Sequence, residues 1–218
     1  MDPVDLDRAV ADHLPEEWLK AVVKSIFLAK RLSHDHCKAE FSATAAINVS
    51  NFYERGKVQD LLYGSAELMP GFGAEFKDAS GWKHAKITAG PFTITAHPVA
   101  SPCALVDDAE YRRTLAESQP SLYDPADMIP GAKLYGLIVH SPYRGRSTRE
   151  AAEYAYVPGS IYLAFPEAAL KSYAHQINLF EKFPELIENL LPQEWDKRAR
   201  VIYRWQAQQI QARPNRTA

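Results

Sequence analysis

Residues 82–99, WKHAKITAGPFTITAHPV, decide the fold. Around Gly90-Pro91 two runs alternate strictly. Ala85, Ile87, Ala89, Phe92, Ile94 and Ala96 share one face, and His84, Lys86, Thr88, Thr93, Thr95 and His97 share the other. A period of two is the signature of a strand, and a Gly-Pro break between two such runs makes a hairpin. One face is therefore expected in the core and the other is polar. In one register His84 lies directly opposite His97, with Lys86 one pleat away.

Outward from the hairpin, Phe72–Lys77 reads as a preceding strand, with residues 78–81 (DASG) as its turn. Before it the period is helical. A short helix runs from Asp2-Pro3 to about His13. A longer one opens at Pro15 and runs to about Leu32, its Trp18, Leu19, Val22, Val23, Ile26, Phe27 and Ala29 recurring at three and four. Residues 38–55 alternate in part, but the stretch is too long for a strand and is assigned to a helix ending near Gly56; a separate short helix covers Lys57 to Met69. After the hairpin come a helix from Asp107 or Asp108 to about Ser118 and a Pro-rich loop. Next are an apolar central strand over residues 134–139 (LYGLIV), an arginine-rich loop over His140–Glu150 and a strand over Ser160–Phe165. One or two closing helices follow within residues 170–191, and a last helix starts near Glu194.

The fold class is thus α+β: a helical N-terminal half packed on an antiparallel sheet of about five strands, with closing C-terminal helices. Residues 1–70 form the helical region, and 71–191 form the sheet and its helices in one compact domain with it. Residues 192–218 form a terminal helix and basic tail.

The 218 residues carry a net charge of −2, with 46% apolar and 24% charged side chains, which excludes a disordered chain, a collagen-like repeat and an obligate polycation. Two cysteines exclude a disulfide scaffold. The acidic N-terminal stretch lacks a basic and then apolar leader, and no apolar run approaches the roughly 20 residues that cross a bilayer. A cytoplasmic protein without a membrane partner is the expectation. No P-loop, GxGxxG, HExxH, GxSxG or CxxC is present, which weighs against the ATP-dependent, Rossmann, zincin and hydrolase-elbow classes.

Charge is unevenly placed. Asp2, Asp5, Asp7, Asp12, Glu16 and Glu17 face Arg8 alone at one end; Lys197, Arg198, Arg200, Arg204, Arg213 and Arg216 outnumber Glu194 and Asp196 at the other. These termini are candidates for a homodimer or protein-partner contact. The densest basic loop holds Tyr143, Arg144, Arg146 and Arg149, where guanidinium forks match phosphates and Tyr143 offers a ring for a base. Lys86, His84 and His97 on the polar hairpin face add an ammonium and two imidazoles suited to an anion or to proton transfer. Arg112-Arg113 form a possible edge of the same surface. Glu75 and Lys77 have the ExK form of metal-dependent nucleases, with Asp60 or Asp78 required to complete a metal site. His34, Asp35, His36 and Cys37 bring ligating atoms together but lack a second cluster, so no metal and no cofactor are assigned.

The leading functional expectation is a binding or regulatory protein that engages an anionic partner, nucleic acid first, through Tyr143, Arg144, Arg146, Arg149 and Lys86. The alternatives are a phosphodiester hydrolase using Glu75 and Lys77 or His84 and His97, and a protein-interaction module of immunity or antitoxin type. The sequence does not decide whether the chain is an enzyme.

Overall fold

Three helices build the layer beneath the sheet: α1 (Pro3–His13), α2 (Glu16–Glu40) and α3 (Ala43–Glu67). The stripe from Trp18 to Ala29 is buried as its spacing requires. The helix passes Leu32 and includes the His34–Cys37 segment, because Ser33 and Cys37 extend the same buried stripe and the backbone turns extended only at Phe41. Ser42 caps α3, its hydroxyl accepting from the Ala45 amide. The two helices expected on either side of Gly56 are one. Glycine inside a helix costs only about 1 kcal/mol against alanine, and the packing of Val58, Leu62 and Ala66 outweighs it. All the buried residues of α3 lie in its second half.

The computed structural model describes residues 3–79, 81–101, 104–107, 109–118, 133–145, 147, 150 and 153–192. Its sheet has six strands in sequential order: β1 (Phe72–Ala79), β2 (Trp82–Ala89), β3 (Phe92–Pro98), β4 (Leu134–Pro142), β5 (Pro158–Pro166) and β6 (Tyr173–Asn178). All neighbours are antiparallel except β3 and β4, which run parallel, with α4 (Glu110–Glu117) on the connection between them. The α+β class and helical N-terminal half hold. The sheet gains one strand, β6, where helix was expected, since a half-buried edge strand shows only weak alternation. Two short helices, α5 (Leu179–Lys182) and α6 (Pro184–Leu190), close the described chain.

Both faces of the sheet are covered. Trp18, Val22 and Ile26 pack against Ile87, Phe92, Ile94, Ile138, Leu163 and Phe165, which makes the expected apolar face of the hairpin the main core. On the other face Val106, Ala116, Tyr135, Leu137, Val139 and Ala164 form a second core under α4. Gly90 turns the hairpin with a φ of 54°, and a Cβ there would strike the His13 ring. No helix among the described residues is long and apolar enough to cross a membrane.

Candidate functional site

The β2–β3 ladder is short. Its register pairs Ile87 with Ile94, Thr88 with Thr93 and Ala89 with Phe92, and then the strands part. In the gap lies the carboxamide of Gln59 from α3. The Ala85 amide donates to its Oε1 at 2.9 Å, and its Nε2 donates to the Ala96 carbonyl at 3.0 Å. In a continued register Ala85 would face Ala96, so one side chain stands in for part of the missing rung and gives the Ala85 amide and the Ala96 carbonyl their partners. One turn earlier on α3, Arg55 is thereby set beside β2.

Just past that inserted rung stand His84 and His97, ring centroids 5.4 Å apart, as the hairpin register requires. They are not on an open face. α4 lies over them, and both are buried. The guanidinium of Arg112 donates to His97 Nδ1 at 3.1 Å, to the Tyr111 hydroxyl at 3.1 Å and to the backbone carbonyl of Asp107. An arginine only donates, so a neutral His97 carries its proton on Nε2, which lies 3.0 Å from Thr95 Oγ1 and 3.1 Å from the Tyr111 hydroxyl. Thr95 in turn meets the Tyr135 hydroxyl at 2.8 Å. The same reasoning applies to His84: Arg55 approaches its Nε2 at 3.4 Å and fixes the proton on Nδ1.

Two donors in this network are unspent. His84 Nδ1 is buried and has no hydrogen-bond partner among the described residues. The Tyr111 oxygen is met by Arg112 and by His97 Nε2, both donors in this tautomer, and its own proton has no acceptor in the network. His84, Tyr111 and Thr95 line a cavity of about 530 Å³ whose rim holds Lys77, Lys86, Asp78 and Glu110.

Behind these donors the charge is unbalanced. Arg112 is 6% exposed, pairs with no carboxylate among the described residues, and keeps a buried, unpartnered Nε. Among the described residues Arg55 meets the His84 ring and the face of Trp82, 4.9 Å from its guanidinium carbon, and pairs with no carboxylate. Burial first, then the two arginines, push the His84 pKa down to about 4. Burial and Arg112 hold His97 well below the ordinary histidine range. Tyr111 is pushed up by burial and stays a phenol. At neutral pH the site thus consists of two guanidinium charges and neutral hydrogen-bond donors.

The remaining sequence candidates fall elsewhere. Tyr143 is buried, and its hydroxyl donates to Glu150 at 3.0 Å, so it stands in the core and not on an open loop. Arg144 is exposed and reaches the Ala100 carbonyl, while Arg146 and Arg149 lie outside the described residues, as do the expected terminal helix and basic tail. Glu75 and Lys77 sit on the exposed edge strand β1. The Glu75 carboxylate is neutralised by Lys77 at 3.0 Å and Lys86 at 3.2 Å, which hold it below its usual range. Lys86 is therefore engaged by Glu75 at the cavity rim. No three metal-ligating side chains converge among the described residues, and His34 and Cys37 stay on α2.

Sequence pattern alone does not single out Gln59, Arg55 or Tyr111. The signals are faint: Gln59 shares the buried stripe of Val58, Leu62 and Ala66, and Arg112 stands four residues before buried Ala116. No family model, no curated protein and no solved structure matches the chain.

Proposed function

We propose that this protein binds a small anionic organic ligand, a phosphate monoester or carboxylate, in the cavity beneath α4. The observation that carries the reading is the pairing of two donors unspent among the described residues, His84 Nδ1–H and Tyr111 O–H, with two guanidiniums that meet no carboxylate among those residues. An oxyanion accepts from both donors while Arg112 and Arg55 stabilise its charge from behind, in a setting where low dielectric strengthens each interaction. Because His84 Nδ1 is shielded from solvent, uptake involves a small outward movement of α4, which has a single turn of buried contacts through Arg112 and Ala116. Binding is favoured over acid–base catalysis because His97 has both ring nitrogens engaged and both imidazoles are neutral near pH 7.

Calorimetric titration with phenyl phosphate in constant chloride tests this. The wild-type protein is expected to bind, Tyr111→Phe to bind about tenfold more weakly and Arg112→Met to lose more than that. Affinity unchanged in both variants would defeat the proposal. A single-stranded oligonucleotide in the same buffer is the comparison ligand. If it binds more tightly than phenyl phosphate, with log affinity falling linearly against log salt, the nucleic-acid reading takes precedence.

A further inference from the structure

On the helical side of the sheet a second cavity, of about 900 Å³, opens between α2, the first half of α3 and the ends of β3 and β4. Its origin is legible in the sequence. α3 begins Ala43-Thr-Ala-Ala46, and side chains that small leave a gap against α2 instead of filling it. Ser33 spans the gap, its hydroxyl donating to the Ser50 carbonyl at 2.8 Å. At the floor Lys30, 4% exposed, holds Glu54 at 2.7 Å, so the charge there is already balanced.

His140, at the end of β4, completes the floor. It is 1% exposed, and neither ring nitrogen has a hydrogen-bond partner among the described residues. Glu54 Oε1 stands 3.7 Å from Nδ1, too far for a hydrogen bond but close enough to draw the ring proton to that side. Nε2 is then a bare acceptor. Burial and the nearby Lys30 keep the imidazole neutral. A buried acceptor without a donor costs free energy, and a cavity of this size beside it accommodates a molecule that supplies one.

We infer that this cavity binds a small, uncharged, mainly apolar molecule that donates a single hydrogen bond, from a hydroxyl or amide N–H, to His140 Nε2. The chemistry differs from that of the anion site, and the inference stands independently of it. Its apolar body lies along Ala46 and Ile47, the latter 72% exposed at the mouth.

A matched pair of probes tests the inference: 1-naphthol, which donates one hydrogen bond, and 1-methoxynaphthalene, which donates none, titrated by fluorescence. The wild-type protein is expected to prefer naphthol by about tenfold. His140→Phe is expected to abolish that preference, and Ala46→Trp, which fills the mouth, to weaken both probes by at least about tenfold. Tyr111→Phe, in the other cavity, leaves both affinities unchanged. Equal affinity of the two probes, no naphthol binding, or full binding in Ala46→Trp would overturn the inference. Circular dichroism checks each variant. If His140→Phe does not fold, the probe pair on wild type together with Ala46→Trp still separates the two outcomes.

Discussion

The two cavities lie on opposite faces of one sheet and share Arg55 as a neighbour, yet their imbalances are of opposite kinds. Under α4, Arg112 and Arg55 have charge without counter-charge among the described residues, and the unspent groups are donors. Beside α2, Lys30 and Glu54 cancel, and the unspent group is an acceptor. An orphaned group describes the partner it lacks. On the proposed readings one side takes an anion and the other an uncharged donor.

The largest effect expected from this contrast is acid sensitivity. His97 and His140 both titrate below the unfolded value of 6.5 when folded, so as pH falls from 6.5 the unfolded chain takes up protons that the folded chain refuses. Stability is lost over that range, and for this pair at about 3 kcal/mol per pH unit. His84 adds to the loss until pH reaches its folded value of about 4. Urea unfolding at pH 7, 6 and 5 checks the slope. Phenyl phosphate is expected to relieve only the share belonging to His84 and His97, and His140→Phe only the other share; a slope indifferent to both would remove the distinction.

Next is Glu54→Gln, which leaves Lys30 buried without a counter-ion and is expected to cost about 3 kcal/mol. Arg112→Met removes a charge that pairs with no carboxylate among the described residues, but it leaves the buried His97 Nδ1 and the Asp107 carbonyl without their donor, and is expected to cost about 2 kcal/mol by the same denaturation assay. Equal losses would mean that the two cavities do not differ in charge balance. Gln59→Leu strips the Ala85 amide and the Ala96 carbonyl of their partner, with an expected loss of about 2 kcal/mol and weaker phenyl phosphate binding, since Arg55 and His84 lose their alignment. Smallest is Gly90→Ala, outside both cavities. Its positive φ and the His13 ring set the loss at about 1 kcal/mol, with both ligand affinities preserved in the folded fraction.

The hairpin is the legible part of the sequence. Its alternation assigns every side chain to the correct face, and its register places His84 against His97. The cover over that face is not legible, because α4 returns to it through a parallel crossover and its amphipathic stripe is a single turn long. Gln59 is hidden for a similar reason: a polar residue on a buried stripe shows its purpose only when the strands part around it. The burial of Tyr143 is not legible because β4 continues to Pro142 and carries the tyrosine into the core, where an open loop was expected. β6 escapes the pattern because its edge position leaves both faces half wet.

The decisive experiment is long-range proton–nitrogen correlation of the histidine rings at pH 7, recorded while phenyl phosphate is added. An anion site beneath α4 predicts that the His84 nitrogens begin as the neutral Nδ1–H form and shift saturably with phosphate, that His97 follows to a smaller extent, and that His140 does not move. Immobile His84 resonances under saturating phosphate, or an equal response from His140, would contradict it.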